Sequence, residues 1–310
     1  TRAIGPPPNN ARQLLTLDSQ QPSARADARG GALKISVING DLSFIRQPLL
    51  IGHYRSLRLS GTEYVVNKLV GGAMENSLKV GLYPVPPGTH QVFVNTHADP
   101  NNPWQPPRPR AVIVVGLGEE GKLGPTDLVH SVRQATIAWA QQTAETSADA
   151  PALISIAATL IGSGGAGISV GQSAQLVAQG VREADDRLRE SNESEARERE
   201  ARGISPPARR WPRIGHLYFI ELYLDRATEA WRALQVQNTA TPGRYSVDSI
   251  VRSGAGALRR PLDASYRGAD YDFITAVSQA GMHDDAMIAY ALDTKRARTE
   301  VRAQKAQGTL

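Results

Sequence analysis

The stretch that decides the fold is LISIAATLIGSGGAGIS, which runs from Leu153 to Ser169. Its first six residues, 153–158, are a mostly apolar run of strand length, typical of a strand buried on both faces. A glycine-rich loop follows at 162–167, and Ser169 then begins a segment whose apolar residues recur at helical spacing. The order strand, glycine loop and helix predicts one βα unit of an α/β protein.

The glycine loop at 162–167 is a candidate anion-binding site. Glycine lets the backbone approach a ligand closely, and a helix N-terminus attracts anions through its unpaired N–H groups and its dipole. The loop does not end in Gly-Lys-Ser/Thr, so it is not a nucleoside-triphosphate P-loop. The alternative is a tight turn between a strand and a helix that binds no ligand.

Segments on both sides of this unit follow the same alternation. Strands are predicted at 33–38, 49–51, 79–83, 89–95, 111–115 and 214–222, and helices at 61–70, 126–142, 169–202 and 225–234. The run 111–115 is almost entirely β-branched, as in a strand of a parallel or mixed sheet. Alternating strands and helices predict a mixed α/β sheet flanked by helices.

Composition divides the chain into three parts. Residues 1–30, rich in proline and polar residues, are predicted to be a flexible tail. Residues 31–235 form the α/β domain, and within it residues 182–212, dense in acids and bases, are predicted to form a charged, solvated helical arm. Residues 236–310 are predicted to form a small C-terminal α+β appendage that ends in a charged helix at 293–307.

Composition also excludes several classes of function. The chain has no cysteine, so it has no disulfide, cysteine-bound zinc, iron–sulfur cluster or thiol nucleophile. The net charge of +5 is spread over 310 residues and aromatic residues make up only 5%, so we expect no nucleic-acid partner. No apolar run is long enough to cross a bilayer and no basic-then-apolar leader begins the chain, so we expect a cytoplasmic protein without a membrane partner.

Several segments of the chain resemble macrodomains, the ADP-ribose-binding fold. LKISVINGDLSFIRQPLLIG (33–52) resembles the family's first two strands and the Gly-Asp signature between them, and SIAATLIGSGGAGISVGQSAQLVAQGVREADDRL (155–188) resembles its phosphate loop. RIGHLYFIELYLDRATEAWRAL (213–234) is similar to its closing strand and helix. RAVIVVGLGEEGKLGPTDLVHSVRQATIAWA (110–140) is similar to the macro-like N-terminal domain of leucyl aminopeptidases. The resemblance covers 31–235 in order, which implies a macrodomain-like fold.

Two further segments resemble sequences found beside caspase-like CHAT peptidases in bacterial conflict proteins. They are Gly52-His53-Tyr54 and the tail YDFITAV…DTKRAR, within 271–298. This resemblance implies a caspase-like peptidase as a protein partner.

The macrodomain resemblance implies a ligand and a set of contact residues. Asp41 matches the aspartate that accepts a hydrogen bond from the adenine amino group, a role that suits an ionised carboxylate; the alternative is a turn or capping aspartate. The residues that match the diphosphate loop are Gly162, Ser163, Gly164, Gly165 and Gly167. The chain departs from the family at Ile51-Gly52-His53-Tyr54, where macrodomains that bind or hydrolyse ADP-ribose carry an Asn-Ala-Ala-Asn-like stretch.

Gly52, His53 and Tyr54, at the end of the second strand, complete the predicted ligand-binding residues. The side chains of His53 and Tyr54 are polar and could face the same cleft, where a neutral histidine can act as a base near pH 7. The alternative is that both residues simply finish the sheet edge. No catalytic residue is predicted beyond the candidate His53, and since the histidines lack metal-ligand spacing we predict no metal site and no resident cofactor.

These patterns favour a non-catalytic ligand- or partner-binding regulatory module of a bacterial defence system. Such a module would sense an ADP-ribose-like nucleotide or associate with a caspase-like peptidase. One alternative is an ADP-ribosyl hydrolase that uses His53 or Asp41, and a second is a structural scaffold that kept the fold and lost the pocket. The space above 162–167 discriminates between them, because an open hollow lined by amides favours binding and a filled one favours the scaffold.

Overall fold

A computed structural model describes most of the chain. The residues described with their side chains are 31–97, 106–146, 151–165, 167–205 and 210–255, and the backbone is described for 273–279, 287–293 and 298–305. The predicted tail at 1–30 lies outside the described residues. The chain divides into two compact units, Thr1–Ala257 and Leu258–Leu310.

The first unit is built on one eight-stranded sheet. Its strands are β1 (Leu33–Asn39), β2 (Leu49–Tyr54), β3 (His90–Val94), β4 (Ala111–Gly118), β5 (Leu153–Ala158), β6 (Arg213–Glu221), β7 (Tyr245–Val247) and β8 (Arg252–Ser253). They lie in the order β3-β4-β2-β5-β6-β1-β7, and β8 also pairs with β1. Only the β3–β4 pairing is antiparallel among these strands. The predicted mixed α/β sheet is confirmed.

Helices cover both faces of this sheet, because alternate residues of each strand point to opposite sides. The helices are α1 (Gly61–Leu69), α2 (Ala73–Lys79), α3 (Pro125–Thr146), α4 (Val170–Ala201) and α5 (Leu224–Ala240), with a 3-10 helix at Leu42–Phe44. Leu50 and Ile113 point into a core shared with α3, α4 and α5. Leu49 and Val112 point into a second core, shared with α1 and α2.

This arrangement places a topological switch point, here called the crevice, between β2 and β5, which are neighbours in the sheet. The chain leaves β2 for α1 on one face and leaves β5 for α4 on the other face. The two connections therefore diverge above the carboxyl ends of the two strands. Ligands of open α/β sheets bind at such points.

The described helix α4 differs from the predicted solvated arm in its first half. Arg182, Asp185 and Leu188 are buried, and α4 runs without a break to Ala201. Arg213 of β6 donates two hydrogen bonds to Asp185, at 3.1 and 2.6 Å. Paired charges can be buried where unpaired ones cannot, so a segment dense in charge packs here against the sheet.

Two other predictions fail at the level of single elements. The strand predicted at 79–83 is absent from the structure, since Ala73–Lys79 is helical and a turn follows it. Gly71 and Gly72 both have positive φ angles, 65° and 82°, which end α1 and let a second helix start in a new direction. The appendage predicted from 236 also starts later, because β7 and β8 pair with β1.

The second unit contains a three-stranded antiparallel sheet in the order β11-β10-β9. Its strands are β9 (Phe273–Gln279), β10 (Met287–Asp293) and β11 (Arg298–Lys305). The helix predicted at 293–307 is wrong where β11 lies, because this charged segment pairs along β10. A strand at a sheet edge tolerates charged side chains, so charge density alone does not discriminate helix from strand here.

Candidate functional site

The carboxyl edge of the sheet gathers most of the residues that the sequence singled out. Asp41 follows β1, Tyr54 ends β2, and the glycine loop follows β5. Glu120 follows β4 and Arg226 lies in the first turn of α5, after β6. The carboxyl ends of parallel strands meet at one edge, and this places residues from five strands near one crevice.

Some polar groups of the glycine loop already form hydrogen bonds within the chain. Gly162 and Gly167 have φ angles of 85° and 110°, in the region that favours glycine. The N–H of Ser163 donates to the Leu160 carbonyl at 3.2 Å, and its hydroxyl donates to the same oxygen at 2.6 Å. The Ser163 amide is therefore committed within the chain in this conformation. Ser169 caps α4 by accepting a hydrogen bond from the Gln172 amide at 3.2 Å.

Side chains from two neighbouring strands cover the loop. The Tyr54 hydroxyl donates to the Gly162 carbonyl at 3.2 Å. A Cβ placed on Gly165 would meet Glu120 Oε1 and Tyr54 Cε2, each at 3.2 Å, and one on Gly162 would meet Leu123 at 3.2 Å. Burial raises the pKa of Tyr54, and the Glu120 carboxylate raises it further. The space above the loop thus holds a phenol, a leucine and an acid.

A cation missed by the sequence analysis reaches the loop from the other side. The Arg226 guanidinium donates to Ser163 Oγ at 2.6 Å and to Glu221 Oε2 at 3.0 Å. Glu221 Oε1 in turn accepts a hydrogen bond from the Tyr223 amide at 3.1 Å. A basic residue in the first turn after a strand at this edge is the signal that could have identified Arg226.

Gly52 is a glycine because the loop packs directly on it. A Cβ on Gly52 would lie 2.6 Å from both Ile161 Cγ2 and Leu117 Cδ1. No real Cβ makes contacts this short, so a larger residue here would push the start of the glycine loop away from β2. Gly52, one of the predicted ligand-binding residues, is in this structure packed against Ile161 and Leu117.

His53 does not face the crevice. Successive residues of a strand point to opposite faces, so His53 lies in the α1–α2 layer while Tyr54 lies by the loop. His53 is fully buried, with Nδ1 2.9 Å from Glu63 Oε1. The Tyr83 hydroxyl donates to the same oxygen at 2.9 Å. His53 and Tyr54 were predicted to face the same cleft, but in the structure they lie on opposite faces of the sheet.

The environment of His53 also bears on its chemistry. Its Nε2 is buried and has no hydrogen-bond partner among the described residues. Burial and the neighbouring Glu63 carboxylate raise the pKa of Tyr83. A histidine that solvent cannot reach, held between Glu63 and Tyr83, has no path to a ligand in this conformation.

Asp41 has the capping geometry that the sequence analysis gave as its alternative. Its Oδ1 accepts hydrogen bonds from the Ser43 amide and the Ser43 hydroxyl, both at 2.8 Å. The Asp41 amide donates to the Ala255 carbonyl at 3.1 Å. Asp41 is the N-cap of the 3-10 helix that follows β1.

A serine on β1, a histidine on β6 and an aspartate just after β7 also meet, yet they do not form a nucleophilic triad. His216 Nε2 lies 2.8 Å from Ser36 Oγ, and Ser36 donates its own proton to Asp248 at 2.5 Å. In a triad the serine proton is directed to the histidine. Ser36 is fully buried, so the cluster is structural.

His216 is expected to make stability depend on pH. Burial and the nearby Lys34 lower its pKa from 6.5 to about 4. The folded state binds a proton on His216 less tightly than the unfolded state does. The stability that follows from the neutral His216 is therefore fully present above pH 6.5 and is lost as the pH falls towards 4. The loss is on the order of 3 kcal/mol. In urea unfolding across this range, His216→Gln should flatten the pH dependence of the free energy of unfolding, and an unchanged pH dependence would contradict this prediction.

The described residues contain no cluster of three or more histidine, aspartate or glutamate side chains that could hold a metal ion. In the same part of the chain, no helix is both long enough and apolar enough to cross a membrane.

Comparisons with known proteins find similar structures but no similar sequence family. No protein-family model and no curated protein matches the chain. The macrodomain of Mycobacterium tuberculosis DarG is similar with a TM-score of 0.39 and 13% identity, over 61% of this chain and 98% of that one. A Trypanosoma brucei macrodomain in complex with ADP-ribose has a TM-score of 0.38 and 12% identity, over 64% and 68%. The X-domain of IBV has a TM-score of 0.38 and 12% identity, over 66% and 98%.

Proposed function

We propose that the chain is a non-catalytic binding module for a phosphate-bearing nucleotide of the ADP-ribose type, held in the crevice between β2 and β5. The observation that carries the proposal is the Arg226 guanidinium, which is hydrogen-bonded to Ser163 within the glycine loop. It brings a cation to the loop that the sequence resemblance assigns to a diphosphate. Charge-assisted hydrogen bonds from arginine suit phosphate oxygens.

The described conformation is then the closed state of the site. Glu120 is exposed, and Tyr54 is half-buried, so both can leave the loop by side-chain rotation. A bound diphosphate would displace the Glu120 carboxylate, because like charges repel. The phosphate would also replace Ser163 as an acceptor for Arg226.

The remaining predicted residues take unequal parts in this proposal. Gly162, Gly164, Gly165 and Gly167 supply a backbone without side chains, and Asp41 is the proposed adenine contact. Gly52 and His53 act through packing, not through contact with the ligand. The hydrolase alternative has lost the support that His53 offered, because that side chain is buried on the other face of the sheet.

The scaffold alternative is favoured by a specific observation. The Ser163 amide is bonded to Leu160, and a carboxylate lies beside Gly165. If these contacts never open, the chain keeps the architecture of a binding module without its pocket. The association with a caspase-like peptidase, the role in a bacterial defence system and the cytoplasmic location are proposals that rest on the sequence resemblance and composition.

Binding of ADP-ribose, measured by isothermal titration calorimetry, tests the proposal. The natural chain is expected to bind with a micromolar dissociation constant, about −8 kcal/mol. Arg226→Ala should weaken binding about 10- to 100-fold, since a hydrogen bond to a charged group contributes roughly 1.5–3 kcal/mol. Arg232→Ala, at an exposed arginine of the same helix, is the matched control and should bind like the natural chain.

Glu120→Gln should change the affinity for ADP-ribose in the opposite direction. This second variant keeps the test informative even if Arg226→Ala does not fold. Removing this charge should strengthen binding several-fold, because the ligand no longer displaces an ionised carboxylate. No binding by either the natural chain or Glu120→Gln would contradict the proposal and favour the scaffold. Release of ADP-ribose from a modified protein by the natural chain would favour the hydrolase.

A further inference from the structure

A groove in the α1–α2 layer is separate from the crevice above the glycine loop. Its volume is about 390 Å³, within the range of ligand and side-chain pockets. The residues that line it are Leu57, Arg58, Leu59, Tyr64, Asn67, Glu75, Leu78 and Lys79. None of them belongs to the nucleotide site proposed above.

Four of the residues that line this groove are apolar or aromatic, and two of these four are open to water. Leu57, in the loop between β2 and α1, is 96% exposed, and Tyr64 of α1 is 54% exposed. Leu59 and Leu78 pack on the second core from the groove side. Grouped apolar side chains that face solvent mark a surface used for binding, whereas a single exposed leucine would need no explanation.

The rim of the groove is positively charged. Arg58 is exposed beside Leu57, and the Lys68 ammonium lies 4.3 Å from the centre of the Tyr64 ring. The one acidic lining residue, Glu75, contacts Lys79 at 2.8 Å, and this hydrogen bond lowers the pKa of Glu75. Glu75 therefore neutralises Lys79, and the charges of Arg58 and Lys68 remain for a partner.

We infer that this groove binds an acidic amphipathic helix of another protein. Apolar side chains spaced at i and i+3 or i+4 would enter between Leu57 and Leu78, as in helix-in-groove recognition. Carboxylates on the flanks of that helix would face Arg58 and Lys68. Charge complementarity at a rim selects partners of the opposite sign, and this is what favours an acidic over a basic segment.

Two synthetic peptides of about 20 residues, longer than the length below which isolated helices are marginal in water, test the inference with the full chain. Both carry leucines at i, i+3, i+4 and i+7; one has glutamates at the flanking positions and the other has lysines. Fluorescence anisotropy should show saturable binding of the acidic peptide and at least tenfold weaker binding of the basic one. Leu57→Ser should weaken the acidic peptide at least fivefold, and Arg58→Glu should abolish the preference for it.

The controls separate this surface from general stickiness. Leu224→Ser removes another leucine that is 58% exposed, on α5, and should change nothing. Leu57 and Arg58 are exposed, so their substitution should leave the melting temperature unchanged. Equal binding of both peptides, or binding insensitive to Leu57→Ser and Arg58→Glu, would overturn the inference. So would self-association in light scattering that Leu57→Ser removes, since the occupant would then be a second copy.

Discussion

Asp185→Ala is expected to lower the free energy of unfolding by about 3–5 kcal/mol, the range for removing one partner of a buried ion pair. Asp185 is 1% exposed in its side chain and accepts two hydrogen bonds from Arg213, at 3.1 and 2.6 Å. It also accepts one from the Ile214 amide at 2.9 Å. The substitution leaves a buried guanidinium and a buried backbone donor without a partner.

Urea unfolding measures this effect, with Arg244→Ala as the matched control. Arg244 contacts Asp186, the residue that follows Asp185, at 3.1 Å, but the side chain of Arg244 is 46% exposed. An exposed pair contributes about 0–1 kcal/mol, so the control should be close to the natural chain. Equal losses for the two variants would contradict the view that the Asp185 pair anchors α4 to β6.

Gly116→Ala is expected to cost about 1–3 kcal/mol, the usual range for overpacking, and to lie at its upper end. A Cβ on Gly116 would overlap the Pro86 carbonyl oxygen and lie 2.7 Å from the Val85 carbonyl oxygen. These neighbours are backbone atoms, which cannot rotate away. The substitution should therefore force apart β4 and the turn at 85–88 that precedes β3.

Two other glycine variants serve as controls for Gly116→Ala in the same unfolding experiment. The three atoms nearest to a Cβ on Gly52 belong to the side chains of Ile161 and Leu117, which can shift, so Gly52→Ala should cost less than Gly116→Ala. Gly164→Ala meets no atom within 4 Å and should be nearly neutral. If Gly164→Ala proved as costly as Gly116→Ala, the steric explanation would be excluded.

The two proposed surfaces differ in what their experiments ask. The crevice is closed by Tyr54 and Glu120, so its test asks whether a ligand can open it. The groove beside Leu57 is already open, so its test asks only which segment fits. Failure of ADP-ribose binding would leave the peptide experiment intact, because the two sites share no residue.

Much of the fold was predictable because its signals are local. The β-branched run at 111–115 has all its residues buried, as strand β4, which pairs with β3 on one side and with β2 on the other. The loop at 162–167 and the cap at Ser169 both lie where the sequence predicted them. The strand predicted at 79–83 is instead a helix end followed by a turn, and the helix predicted at 293–307 is replaced by a strand where β11 pairs with β10.

The position of the candidate site was predictable from the sequence, but the side chains that contact the glycine loop were not. Strand alternation by itself places His53 and Tyr54 on opposite faces, so that part of the error lay within reach of the sequence. Arg226 and Glu120 lie on opposite sides of the glycine loop along the chain, more than forty residues away in each case. No local pattern indicates that both would contact it.

The sequence by itself therefore determined the alternation of strands and helices, the place of the glycine loop and the absence of cysteine chemistry. These properties follow from residue type and from periodicity within a few residues. Only the tertiary structure decided that Tyr54 and Glu120 cover the loop, that Arg226 holds Ser163, and that His53 is buried against Glu63. Such contacts join separate strands, and they depend on strand order, register and the direction of each side chain.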